Sequence, residues 1–207
     1  MEELIQRGAE AEIYRSTWKG RPVVIKRRTE KSYRLPDIDR ILRRQRTRQE
    51  ALLLSAARRG GTATPIIYDV DLSAAAITME YVAGRRVKDC IDALDEPEQQ
   101  RICQKIGEGV AGLHRQDIVH GDITTSNLIM SRGRMYFIDF GLGEKSSAME
   151  DRGVDLHLLM EAFAAAHRHP DLFSWVMEAY EAAVPWGREV RRKVADIAER
   201  GRYVVRE

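Results

Sequence analysis

Strand-like alternation occupies the start of this chain, and helical periodicity dominates the remainder. Between residues 4 and 27, Gly8-Ala9-Glu10-Ala11 and Trp18-Lys19-Gly20-Arg21 read as turns. Around them, Glu12-Ile13-Tyr14-Arg15 alternates and Val23-Val24-Ile25-Lys26 is a short apolar run, so strands are predicted there. From 33 to 59 the period changes. Ile38, Ile41, Leu42, Leu52 and Leu53 recur at helical spacing, Pro36 suits a first turn, and Gly60-Gly61 suits an end. Pro65 to Val70 and Ala75 to Val82 return to strand character around a turn at Asp71-Leu72-Ser73, and Ala83-Gly84 breaks the pattern.

The second half is mostly helical. Asp95-Glu96-Pro97-Glu98 has a capping Asp, a Pro in the first turn and a Glu three residues on. Ile102, Ile106, Val110 and Leu113 make one face of a helix ending near His114. Gly107, Gly109 and Gly112 are poor helix formers, which points to close approach by a neighbour. Leu128-Ile129-Met130 and Met135-Tyr136-Phe137-Ile138 flank Ser131-Arg132-Gly133-Arg134, a hairpin pattern. From Asp155 onward there are three apolar faces, on Leu156 to Phe163, Leu172 to Tyr180 and Val190 to Ile197, divided by Pro170 and Pro185.

Composition narrows the class. The 207 residues suffice for one domain or two small lobes, and 43% hydrophobic with 32% charged residues describes a soluble globular chain. No apolar run has membrane-spanning length and Met1-Glu2-Glu3 is not a secretory signal, so no membrane association and a cytoplasmic location are expected. Cys90 and Cys103 lack partners at ligand spacing and read as reduced, packed thiols. The net charge of +2 hides two basic regions: twelve Lys/Arg against four Asp/Glu from Lys26 to Arg59, and seven against four from Arg188 to Glu207. They are either solvated surface or a polyanion-binding pair.

The candidate chemistry lies in the hairpin region. His120-Gly-Asp-Ile-Thr-Thr-Ser-Asn127 offers the carboxylate of Asp122 and, five residues on, the amide of Asn127. Twelve residues later comes Asp139-Phe140-Gly141. The intervening hairpin would bring Asn127 and Asp139 to one end of two paired strands, as a shared metal site requires. Kinase-type phosphoryl transfer uses this set: a base for the acceptor hydroxyl, and an Asn and an Asp for Mg²⁺ on ATP. Lys26 ends its strand where such a site needs a cation for the phosphates, or else is an exposed strand-end Lys. Glu50 is the one carboxylate after Asp39 on the long helix; it either holds Lys26 or pairs with Arg46 on the surface. Gly8 and Ala9 lie in a turn that allows close backbone approach to a nucleotide, with one Gly where the usual loop has three. Backbone groups of Glu80 and Val82 either bond an adenine edge, with Met79 lining the back of the pocket, or form an ordinary sheet edge, the better reading without the flanking motifs. Asp155 is either a surface Asp near a helix start or a buried support for the catalytic loop.

These stretches, with Lys31-Ser-Tyr-Arg34, Pro36-Asp-Ile-Asp39, Arg46-Thr47 and Glu50-Ala51, resemble the small atypical kinase/ATPase subunits of the KEOPS (EKC) complex, over nearly the whole chain. The resemblance implies an α+β, minimal two-lobed protein-kinase-like fold related to the RIO kinases, with an N-lobe over residues 1–82 and a C-lobe with a basic tail over 83–207. It also implies serine/threonine (auto)kinase or ATPase activity, partnership with a Kae-type catalytic subunit and other KEOPS subunits, and a part in threonylcarbamoyladenosine modification of tRNA. The tail from Arg200-Gly201-Arg202-Tyr203 is expected to help engage tRNA alongside the other basic patch.

Departures from ordinary kinases qualify this picture. Gly121 stands where a typical kinase has the Arg that receives an activation-loop phosphate, so control by loop phosphorylation is not expected. Thr124 replaces a Lys near the γ-phosphate. No Ala-Pro-Glu segment follows Asp139-Phe140-Gly141, so a peptide-docking platform is absent or borrowed. A stand-alone small-molecule phosphotransferase and a non-catalytic tRNA-binding scaffold are the competing readings. The short helical C-lobe argues against the first, and the intact carboxylate set against the second.

Overall fold

The computed structural model describes residues 2–204, with side chains described through residue 200. The early alternation forms strands β1 (Glu3–Arg7), β2 (Ala11–Trp18) and β3 (Arg21–Arg28). Helix α1 (Pro36–Arg59) comes next, then β4 (Ile67–Asp71) and β5 (Ala76–Glu80). The five strands make one antiparallel sheet ordered β1-β2-β3-β5-β4. In β3, Lys26 sits opposite Ile13 on one side and Ile77 on the other, so the cation is carried by a central strand. Side chains two apart on a strand share a face, and Arg28 therefore emerges on the same side as Lys26.

Beyond the sheet come β6 (Arg85–Arg86), the single turn α2 (Val87–Cys90), α3 (Glu96–His114) and β7 (Ile118–Val119). The hairpin β8 (Leu128–Ser131) and β9 (Arg134–Phe137) precedes β10 (Glu144–Lys145), α4 (Met149–Ala166), α5 (Leu172–Ala183) and α6 (Gly187–Val204). The Asp95 carboxylate accepts from Glu98 N at 2.9 Å and starts α3. The α3 stripe of Ile102, Ile106, Val110 and Leu113 is buried in one core with Leu156, Leu159, Val176, Met177 and Tyr180. At Gly107 an added Cβ would lie 2.2 Å from Val176 O, so α5 packs directly on the α3 backbone. The result is an α+β, two-lobed arrangement, a sheet with one long helix followed by a mainly helical body.

Two local expectations need correction. Helix α4 begins at Met149, six residues before Asp155, because charged residues Glu150, Asp151 and Arg152 mask its first turns. Strand β5 stops at Glu80 rather than running to Val82. The α2 turn and the 3-10 turn Ile91–Ala93 carry too few residues to show a period. Cys90 and Cys103 are buried unpaired thiols, and burial pushes Cys103 up to about 12. No described helix is long and apolar enough to cross a membrane.

Candidate active site

The sheet contributes a buried charge cluster. Lys26 Nζ lies 2.6 Å from Glu50 Oε1 and 2.5 Å from Asp139 Oδ1. The other Glu50 oxygen accepts from Arg28 Nη2 at 2.6 Å, so α1 turns this carboxylate inward between two cations of β3. Arg46 instead pairs with Glu10 at 2.9 Å. Burial pushes the Lys26 ammonium down, but the charges of Glu50 and Asp139 outweigh it and hold the group above its ordinary range. Burial likewise raises Asp139, and Lys26 more than reverses this, leaving the carboxyl below the usual range.

The helical body contributes the other half. Asn127 Nδ2 donates to Asp122 O at 2.9 Å and to Asp122 Oδ2 at 3.1 Å, which turns its amide oxygen the opposite way. Ile138 N donates to Asn127 O at 3.0 Å, so the hairpin brings Asp139 beside Asn127. Partial burial raises the Asp122 carboxyl; the Asn127 bond offsets this in part, the nearby Asp139 charge adds to it, and the net shift is upward. Beneath the loop Asp155 is fully buried. Its carboxylate accepts from His120 N at 2.8 Å, Gly121 N at 2.9 Å and His114 Nε2 at 3.2 Å. The Tyr180 hydroxyl meets His114 Nδ1 at 2.8 Å.

Gly121 has a backbone reason for being glycine. Its φ is +78°, and an added Cβ would lie 2.3 Å from Leu142 O. An Arg at this position would require the loop after Phe140 to move. Phe140 itself is buried, its ring 4.5 Å from that of His120.

Between the two halves lies a cleft of about 280 Å³. Ile13, Val24 and Met79 form apolar lining, and Lys26, Asn127 and Asp139 are among its charged and amide groups, with Glu50, Arg86 and Gln6. Glu80 and Val82 also line it, but the Glu80 N–H already donates to Ile66 O at 2.7 Å. Gly8 and Ala9 are exposed in the β1–β2 turn and do not line the cleft, whereas Ile5, Gln6 and Ile13 do. The degraded glycine loop therefore meets the cavity with its flanking strand residues. Two larger grooves of about 580 Å³ lack this Lys, Asn and Asp combination, so chemistry rather than volume selects the smaller cleft.

Among the described residues, no three His, Cys, Asp or Glu side chains converge as a metal cage. The Asn127 and Asp139 oxygens fit Mg²⁺, which takes one or two protein oxygens and keeps water or phosphate oxygens for the rest. Arg28, His114 and Tyr180 were missed from sequence. Only Arg28 left a signal, its two-residue offset from Lys26. Part of the charge of the basic regions is ion-paired: Arg34 and Arg43 share Asp39, Arg40 faces Asp37, Lys193 faces Glu150, and Arg191 faces Glu181. Arg200 pairs with Glu150 at 3.3 Å; the tail side chains beyond it lie outside the described residues.

Residues 2–166 match the family model for the protein kinase domain. The fold is shared with Rio2 kinase of Chaetomium thermophilum, solved as an ADP/Mg²⁺-phosphoaspartate complex, at a TM-score of 0.64 and 14% identity. That likeness covers 90% of this chain and 71% of the other. The molecule is thus protein-kinase-like in architecture. It is 38% identical over 216 residues to KEOPS complex subunit Bud32 of Pyrococcus abyssi, covering 97% of this chain and 96% of that one. Mouse EKC/KEOPS complex subunit Tp53rkb is 38% identical over 211 residues, covering 97% and 86% respectively. The chain belongs to the Bud32 family of KEOPS-complex atypical kinases. It also aligns over 97% of its length, at 41% identity, with the probable bifunctional tRNA threonylcarbamoyladenosine biosynthesis protein of Methanothermobacter thermautotrophicus. It spans 36% of the length of that relative.

Proposed function

We propose that this chain binds ATP with Mg²⁺ and transfers or hydrolyses its γ-phosphoryl group in support of threonylcarbamoyladenosine modification of tRNA. The observation that carries the reading is Lys26 bonded at once to Glu50 and Asp139, with Asn127 joined to the adjoining residue Ile138. In this reading Lys26, held by Glu50, positions the phosphates, and Asn127 with Asp139 holds the metal. Asp122 orients the attacking water or the serine/threonine hydroxyl, and its raised carboxyl pKa suits a group that must take a proton. Bound Mg²⁺ would neutralise charge that develops on the phosphoryl oxygens. Met79 and Val82 would hold the base, with the Glu80 carbonyl rather than its N–H toward the ring. Gly8 and Ala9 would act as a flap above the phosphates only on closure of the β1–β2 turn.

The partners proposed are a Kae-type catalytic subunit, other KEOPS subunits and tRNA, in keeping with the names of the relatives. Among the described ion pairs, Arg44, Arg48, Arg58 and Arg59 of α1 have no carboxylate; Arg58 donates instead to Thr64 O, and the other three are the α1 cations offered to a polyanion. ATP turnover by the chain alone, with its partner and with tRNA tests the reading, for wild type and Asp139→Ala. Phosphate release stimulated by tRNA and abolished in the variant is expected. Full tRNA modification retained by Asp139→Ala would leave only a scaffold. Strong phosphorylation of a free protein without any partner would favour an independent protein kinase.

A further inference from the structure

Helix α4 grips the catalytic loop at two points. Asp155 holds His120 and Gly121 from below. Just past the other end of α4, His167 Nε2 lies 2.9 Å from Thr125 Oγ1. On its far side His167 Nδ1 lies 3.1 Å from Asp92 Oδ2, and the second Asp92 oxygen accepts from Arg168 N at 3.3 Å. The His167 side chain is wholly buried and Thr125 is 2% exposed. Thr125 opens the 3-10 turn that ends at Asn127.

We infer that Asp92 and His167 act as positioning residues that set the Asn127 amide through Thr125. The direction of each bond comes from the donor inventory. A carboxylate only accepts, so Asp92 keeps the ring proton on Nδ1. With the ring proton on Nδ1 only, Nε2 is an acceptor, and the Thr125 hydroxyl donates to it. A one-way donor fixes the rotamer of Thr125 and with it the start of the turn. Asn127 is already held at its side chain by Asp122 and at its carbonyl by Ile138. Asn127 N also donates to Thr124 O at 3.0 Å, and the added restraint at Thr125 sets the turn on which the amide oxygen is carried. The same array in a role of packing alone would stabilise the fold without affecting the metal in particular.

This inference rests on the ATP and Mg²⁺ reading, and the test separates the two. The full chain is titrated with the non-hydrolysable ATP analogue AMPPNP, once with Mg²⁺ and once with EDTA, by calorimetry, with thermal unfolding alongside. Wild type is expected to bind more tightly with Mg²⁺. Thr125→Val, which removes the donor, and His167→Asn, which keeps a donor to Asp92 but no longer reaches Thr125, should each lose at least threefold of that enhancement. Affinity in EDTA should stay near wild type, and Thr125→Ser should restore the enhancement. Where the valine variant fails to fold, His167→Asn carries the comparison. Enhancement retained in both variants, equal losses in Thr125→Ser and Thr125→Val, or a parallel loss in EDTA would each overturn the inference while leaving the ATP reading intact. A wild type with no Mg²⁺ enhancement would overturn both.

Discussion

The two halves of the cleft are secured by opposite strategies. On the sheet side the groups facing the cleft are themselves buried and ion-paired: Lys26 and Glu50, backed by Arg28, form one cluster with side chains at most 7% exposed. On the helical side Asp122 stays exposed and Asn127 is only part-buried, and the buried polar groups, Asp155, His114 and Tyr180, stand behind them. A charge taken from water needs its partner, so the first half has stability and chemistry in the same atoms. The second half separates them into two layers. Substitutions should therefore behave differently on the two sides.

The largest expected loss of stability comes from Glu50→Leu. It leaves the Arg28 guanidinium buried without its carboxylate, while Lys26 keeps Asp139. Breaking a buried pair by removing one partner costs about 3–5 kcal/mol. Urea unfolding should show a loss of that size, and Arg28→Met added to Glu50→Leu should restore part of it. A loss no larger than that of a surface substitution would erase the contrast between the halves.

Asp155→Asn should come next, at about 1–3 kcal/mol, since the amide must turn its NH₂ toward one of three donors now satisfied by the carboxylate. This effect depends on pH. Burial alone raises the Asp155 carboxyl, but bonds from His114 and the charges of His114 and His120 lower it below its ordinary value. Its contribution is present above the usual Asp value of about 3.9 and disappears as pH falls through that value to the depressed one. The gap between wild type and variant in unfolding free energy should thus be full at pH 7 and shrink below about pH 4.

The two layers also explain what could be read along the chain. Asp122, Asn127 and Asp139 flank one short hairpin, so their spacing already encodes their meeting, and the structure brings them together. Glu50 was legible because α1 offers no other carboxylate past Asp39. Of the supporting layer only Asp155 was legible, as one of two alternatives. His114, Tyr180 and His167 come from three separate helical segments, and a lone His on an apolar face gives no sign of its partner. Gly121 was visible as a departure, but the reason, a left-handed backbone pressed on Leu142 O, needs coordinates. Gly8 and Ala9 were read from a pattern with most of its glycines missing, and the cavity lining falls instead on the strand residues around them. Basic charge counted along α1 said nothing of the carboxylates that meet it across the fold.

The smallest effect on stability is expected from the residue given the largest chemical role. Asp122 is exposed, and its carboxyl is raised above the ordinary value by partial burial and by the charge of Asp139. A raised carboxyl means that the charged form is mildly disfavoured in the fold at neutral pH. Replacing it with a neutral isostere removes that penalty, and the side-chain oxygen of Asn can still accept from Asn127 Nδ2. Asp122→Asn should therefore leave the unfolding free energy within about 0.5 kcal/mol of wild type, as at most surface sites, with any shift toward greater stability. Phosphate release should nevertheless fall by roughly 10²–10⁴, the usual contribution of a positioned base. If this variant unfolded as readily as Glu50→Leu, the loop would be held by its own carboxylate rather than by the layer beneath it. If turnover survived, the proton would be leaving by another route. Only the combination of unchanged stability and lost turnover places chemistry in the exposed layer and support in the buried one.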